Sequence, residues 1–202
     1  MMKPLKIILS LILTIVFVNG ALADSPITST PFHEAYYDGG IVTYAAGKKV
    51  MDNTIADYLA NDNNPIDVRM AVINAMGWDI SGRNNTELYL TQVYEGKSSF
   101  TMKDLSSDQK LVIGYMTIMD DYFKPEAGLP YLEAALKEVP NSLTANVIYA
   151  LAKGQEVMDR DFCEVWKYYD TNVNKEGLNS DFSLAGKLIV EDYIKAYKEY
   201  CK

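Results

Sequence analysis

A single histidine, His33, and two cysteines, Cys163 and Cys201, are all that this 202-residue chain offers to chemistry that needs an imidazole or a thiol. A Ser-His-Asp or Cys-His constellation would have to use His33, which follows Phe32 near the start of the chain and reads as a surface residue. The metalloprotease pattern HExxH, the nucleophile elbow GxSxG, a glycine-rich phosphate loop and GxGxxG are all missing. One histidine and two distant cysteines do not make a structural zinc site. Positive charge is scarce as well. The 19 Lys and Arg against 27 Asp and Glu leave a formal net charge of −8, which repels phosphate backbones and anionic bilayers. Nucleic acid is therefore not an expected partner, and a basic protein is the better electrostatic match. Beyond residue 23 no apolar run approaches the roughly 20 residues that span a bilayer. No stretch alternates with period two, so no sheet is expected.

What is present begins with an address. Lys3 and Lys6 precede an apolar run from Ile7 to Val18, and Ala21-Leu22-Ala23 stands ahead of Asp24. A basic head, a short apolar core and small residues one apart form a secretory signal peptide, 1–23, with cleavage expected after Ala23. The remainder, 24–202, has the size of one domain. The leader removes two lysines and no acid, so the mature chain is more acidic still. The expected location is the periplasm or the extracellular space. In such a compartment an even cysteine count favours a disulfide, Cys163 to Cys201. Both thiols fall on the apolar side of their helical stripes: Phe162, Val165, Trp166 and Tyr169 for one, Ile189, Tyr193, Ala196 and Tyr197 for the other.

Helical periodicity runs through the chain. Thr30-Pro31 reads as a cap and first turn of a helix reaching about Tyr37. Residues 41–50 and 54–59 form either one bent helix or two short ones. Further helices are expected over 67–78, 86–94, 110–123, 129–139, 145–158, 161–169 and 182–200. Ser106 with Gln109 resembles a capping box. A phrase recurs. Tyr58-Leu59, Tyr89-Leu90 and Tyr131-Leu132 are each followed by a Val-Ile helix: Val72-Ile73, Val112-Ile113 and Val147-Ile148, with a degenerate Leu188-Ile189 last. From Val72, Val112, Val147 and Leu188 the spacings are 40, 35 and 41 residues. Such a period with two helices per unit marks stacked helical hairpins, since one hairpin cannot bury its apolar face alone. From about 108 to 155 the chain resembles the tetratricopeptide-repeat family: Gly114, Gly128, Ala135 and Pro140 stand where that family places its small residues and closing proline. The resemblance implies an all-α fold of antiparallel hairpins stacked as a short, irregular α-solenoid; an irregular helical bundle is the alternative.

Three features remain to be weighed for function. Acids are abundant, so pairs such as Asp120-Asp121 with Glu126, or a buried Glu34 or Asp38, are the only route to catalysis, of the glycosidase kind. Residues 170–181 place oxygens at positions 1, 3, 5, 7 and 12 of a calcium-loop pattern, but Lys175 replaces the glycine and Asp181 the glutamate; an ordinary turn between helices is the simpler reading. Fifteen tyrosines are many, and tyrosine suits interfaces. Tyr36, Tyr37, Tyr44 and Tyr149 are the candidate partner-binding residues. The sequence thus points to an exported protein with no cofactor, no metal and no catalytic residue, binding another protein as an envelope adaptor or an inhibitor. A carboxylate hydrolase and a small-ligand carrier are the rivals.

Overall fold

The computed structural model describes residues 25–38, 40–94 and 101–202. The leader, its cleavage point and part of the 97–105 connection lie outside the described residues. Those described form nine α-helices and four short 3₁₀ helices, with no strand among them. The α-helices are α1 (Gly40–Lys48), α2 (Asn53–Ala60), α3 (Ile66–Met76), α4 (Asn85–Tyr94), α5 (Ser107–Asp120), α6 (Leu129–Glu138), α7 (Leu143–Val157), α8 (Phe162–Val173) and α9 (Leu184–Ile194). Residues 41–59 are two helices, not one bent one. Asp52 separates them: its carboxylate caps α2 by accepting from Ile55 N at 3.1 Å and also takes the Tyr44 hydroxyl at 2.6 Å. That hydroxyl holds the Asp52 carboxyl below its usual range. Among the described residues no helix is long and apolar enough to cross a membrane.

The Val-Ile helices are the centre. Arg69–Met76 of α3, nearly all of α5 and most of α7 are buried. Helix α3 packs against α1, α5 and the first 3₁₀ helix, and α5 lies between α3, α4, α6 and α7. A helix covered on most sides needs apolar residues all round, which explains why these three read as solid Val-Ile-Ala-Met rather than as one stripe. The outer helices keep a stripe, as in α6, where Leu129, Leu132 and Ala135 face inward.

Two of the glycines that carry the family resemblance have a physical reason here. Gly114 of α5 and Gly128 at the start of α6 touch. A Cβ on Gly128 would overlap the Gly114 carbonyl oxygen and stand 2.6 Å from Ile118 Cγ1; a Cβ on Gly114 would meet Leu132 Cδ2 at 2.8 Å. The first obstacle is backbone, the second the end of a flexible side chain. Gly128→Ala is therefore expected to destabilise by about 1–3 kcal/mol, and Gly114→Ala by less. Urea midpoints of the two variants check the order.

Of the two caps the sequence proposes, one is present. Ser106 and Gln109 form the reciprocal box that starts α5, with Gln109 N to Ser106 Oγ at 3.2 Å and Ser106 N to Gln109 Oε1 at 2.9 Å. Thr30 is a correction. Its hydroxyl turns back to donate to Pro26 O at 2.8 Å, so it caps nothing, and the segment after Pro31 is only the 3₁₀ helix Phe32–Tyr36. The last expected helix also divides: α9 ends at Ile194, and Lys195–Tyr200 tightens to 3₁₀. That turn sets Tyr197 and Tyr200 against Phe162, at 5.7 and 4.9 Å between ring centres, and ends at Cys201, which is disulfide-bonded to Cys163 with the Cα atoms 4.8 Å apart.

The two ends of the chain meet. Phe32 is fully buried against Tyr115 and Phe182. Tyr36 donates its hydroxyl to Asp67 Oδ2 at 3.0 Å and accepts from Ser183 N at 3.0 Å, joining the first 3₁₀ helix to α3 and to the cap of α9.

Candidate functional site

Asn74 is a buried polar residue in the last turn of α3, and it organises the site. Its Nδ2 donates to Thr30 O at 3.2 Å and to the Tyr115 hydroxyl at 2.9 Å. A backbone carbonyl only accepts, so this fixes the amide orientation and leaves Oδ1 facing His33. Oδ1 accepts from His33 N at 3.1 Å and lies 2.6 Å from His33 Nδ1. Nδ1 must therefore carry the hydrogen, and Nε2 is the ring nitrogen left over for other work. His33 is not the idle surface residue its sequence position suggests.

Around this histidine is a cleft of about 390 Å³. Its walls include Thr28, His33, Tyr37, Lys49, Trp78 and Arg83, and among the described residues no Asp or Glu lines it. Arg83 holds the walls together: its guanidinium donates to the carbonyls of Lys49 and of Trp78, the latter at 3.2 Å. Its own N–H donates to Asp120 O at 2.9 Å, tying the loop before α4 to the end of α5. Neither Lys49 nor Arg83 makes an ion pair among the described residues, in contrast to Arg69 and Lys110, which pair with Asp62, Asp108 and Glu138. The acids near Arg83 answer mainly to other groups: hydrogen bonds from Ser81 hold the Asp79 carboxyl below its usual range, and burial pushes that of Asp120 up.

An aromatic ridge borders the cleft. Tyr37 stands edge-on to His33, with 5.5 Å between ring centres. Across the opening Trp78 packs on Tyr122 at 5.0 Å, and Tyr122 on Phe123 at 4.2 Å. Phe123 is 62% exposed and Ile80, in the adjoining loop, 72%.

On the far side of Arg83 a second cleft of about 500 Å³ holds Glu87, Asp120, Asp121 and Lys124. Asp120 is where the catalytic-acid idea has to be tested. Burial pushes its carboxyl upward, opposed by its hydrogen bonds. Both oxygens are occupied: Oδ1 accepts from Asn85 N at 3.1 Å and Oδ2 from Thr86 N at 2.7 Å. Asp120 caps α4 from another helix. Asp121 is held by Lys124 at 2.7 Å. Glu34 and Asp38 are exposed, not buried, because the short 3₁₀ helix turns them to solvent. Glu126 is exposed as well.

The remaining sequence candidates are dispersed. Tyr36 is spent on the clasp between the chain ends, and burial pushes its phenol well up. Tyr44 is bonded to Asp52, with Lys48 Nζ 5.5 Å from its ring centre. Tyr149 lines a separate small cleft with Glu133, Leu136 and Lys137. Only Tyr37 reaches the His33 cleft. Residues 170–181 do not form a calcium loop: Asp170 and Asn172 lie inside α8, and Asp181 Oδ1 accepts from Leu143 N at 2.7 Å and Thr144 N at 3.2 Å, capping α7. Lys175 donates to Pro140 O at 2.8 Å, so the loop is a strap over the start of α7. Among the described residues no three His, Cys, Asp or Glu converge on a metal position.

Sequence reasoning missed Asn74, Lys49, Trp78 and Arg83. For Asn74 a signal existed: it interrupts an otherwise apolar helix at Val72-Ile73-Asn74-Ala75-Met76. Compared with family models, curated proteins and solved structures, the chain has no match.

Proposed function

We propose that this is an exported, non-catalytic helical-repeat protein that binds another protein through the ridge formed by Tyr37, Trp78, Ile80 and Phe123. The observation that carries the reading is the clustering of these exposed apolar side chains beside one cleft. Rigid aromatic anchors rimmed by polar groups are what an interface core needs. The spacings of 35 to 41 residues and the burial of the three Val-Ile helices support a stack of helical pairs as the scaffold behind it. The acidic remainder of the surface suits a partner with basic ground around its contact, whether an envelope component or an enzyme to be inhibited. The basic head and Ala21-Leu22-Ala23 support export.

Affinity capture from an envelope extract tests it. The mature chain is expected to retain a stoichiometric partner, and Trp78→Ser with Phe123→Ser to lose it by at least about tenfold while circular dichroism still shows the folded helical chain. Equal retention by both forms, or hydrolysis of a glycan panel with no partner retained, rejects the reading.

A further inference from the structure

We infer that the His33 cleft is a binding site for a carboxylate carried on a flat apolar body. Three independent features point there. In a chain of net charge −8, this cleft is lined by His33, Lys49 and Arg83 and, among the described residues, by no acid. Lys49 and Arg83 carry positive charge that no carboxylate pairs among the described residues, and the nearest acids that sense Arg83 are already engaged: Asp79 by Ser81 and Asp120 by the amides of α4. The third feature is shape. Tyr37 and Trp78 supply aromatic walls and Met76 and Met119 an apolar lining, and 390 Å³ lies at the small end of the volumes ligand pockets occupy.

The polar groups are also preorganised. Asn74 Oδ1 accepts from the His33 backbone N–H and from ring Nδ1, and Asn74 Nδ2 is tied to Thr30 O and the Tyr115 hydroxyl, so the His33 wall of the cleft is held in place before anything binds. Arg83 fixes the backbone on both walls. A carboxylate entering would meet the positive charge of Lys49 and Arg83. Two sources share this chemistry: a free aromatic or aliphatic acid, and the C-terminal residue of a polypeptide. The inference does not depend on the protein-binding reading.

The test uses the mature chain with four probes: 3-phenylpropionate, its neutral amide, a short peptide ending in phenylalanine with a free C-terminus, and the same peptide amidated. Calorimetry and tryptophan emission, which reads Trp78 and Trp166, follow binding. At least one carboxylate is expected to bind about tenfold or more tightly than its amide. Binding of the free acid alone assigns the site to small organic acids; binding of the peptide alone assigns it to a chain terminus. Lys49→Gln is expected to weaken the carboxylate about three- to tenfold. Ala46→Glu, which puts a negative charge on the α1 wall, is expected to abolish binding. Equal affinity for acid and amide, no binding by any probe at millimolar concentration, or indifference to both variants overturns the inference. Partner capture that needs Trp78 and Phe123 but ignores Lys49 and Ala46→Glu would leave the protein-binding proposal standing alone.

Discussion

Arg69→Ala is expected to lower unfolding stability by about 2–4 kcal/mol, and the melting temperature of a chain this size by about 5–12 °C. Arg69 has no exposed surface, yet its guanidinium reaches two carboxylates: Nη1 donates to Asp62 at 3.0 Å and Nη2 to Asp108. It thereby fastens the turn between α2 and α3 to the first turn of α5. The magnitude is set by which groups are left behind. The Asp62 and Asp108 side chains are 54% and 31% exposed, so water takes them up when the arginine is gone, and no buried charge is stranded. What is lost is volume in a packed layer, together with the bonds to Asp62, Asp108 and the Leu59 carbonyl. Arg69→Met keeps most of the volume and is expected to lose about 1–2 kcal/mol. Urea denaturation of both variants is the measurement, and a loss under 0.5 kcal/mol for the alanine variant would contradict the account.

The second large effect is expected at the disulfide. Cys163 and Cys201 are 38 residues apart, and opening a loop of that length costs about 3–4 kcal/mol in the chain-entropy picture. The double serine variant, or the wild type under reductant, should unfold at a correspondingly lower denaturant concentration. Amide exchange should locate the damage. Protection is expected to fall first in 195–200 and at the start of α8, where Phe162, Tyr197 and Tyr200 pack beside the bridge, while α3 and α5 hold. A shift under about 1 kcal/mol, or uniform loss of protection, would mean that the cross-link is not what holds the C-terminal turn.

How far the sequence reaches is shown by contrasting particular residues. Ser106 with Gln109, the Val-Ile helices and the two cysteines were legible because their signals are local or periodic. Gly114 and Gly128 were legible through their resemblance to a repeat family, and the structure supplies the cause in two backbones that touch. The His33 site was not legible, because it is made of single bonds between distant positions: His33 to Asn74, 41 residues apart, and Arg83 to Lys49, 34 apart. The same holds for Asp120 capping α4 and Asp181 capping α7. An acid that caps another helix leaves no mark in its own neighbourhood, so Asp120 reads as a catalytic candidate until its oxygens are seen to be taken. Thr30 fails for the opposite reason, since a good local cap signal was overridden by the carbonyl of Pro26.

The Tyr36 clasp has a consequence in time. Its partner Ser183 is translated 147 residues later, so a nascent chain cannot close the ring of contacts that seals Phe32 beneath Phe182 until almost the whole polypeptide has left the ribosome. Until then the opening segment stays unlatched.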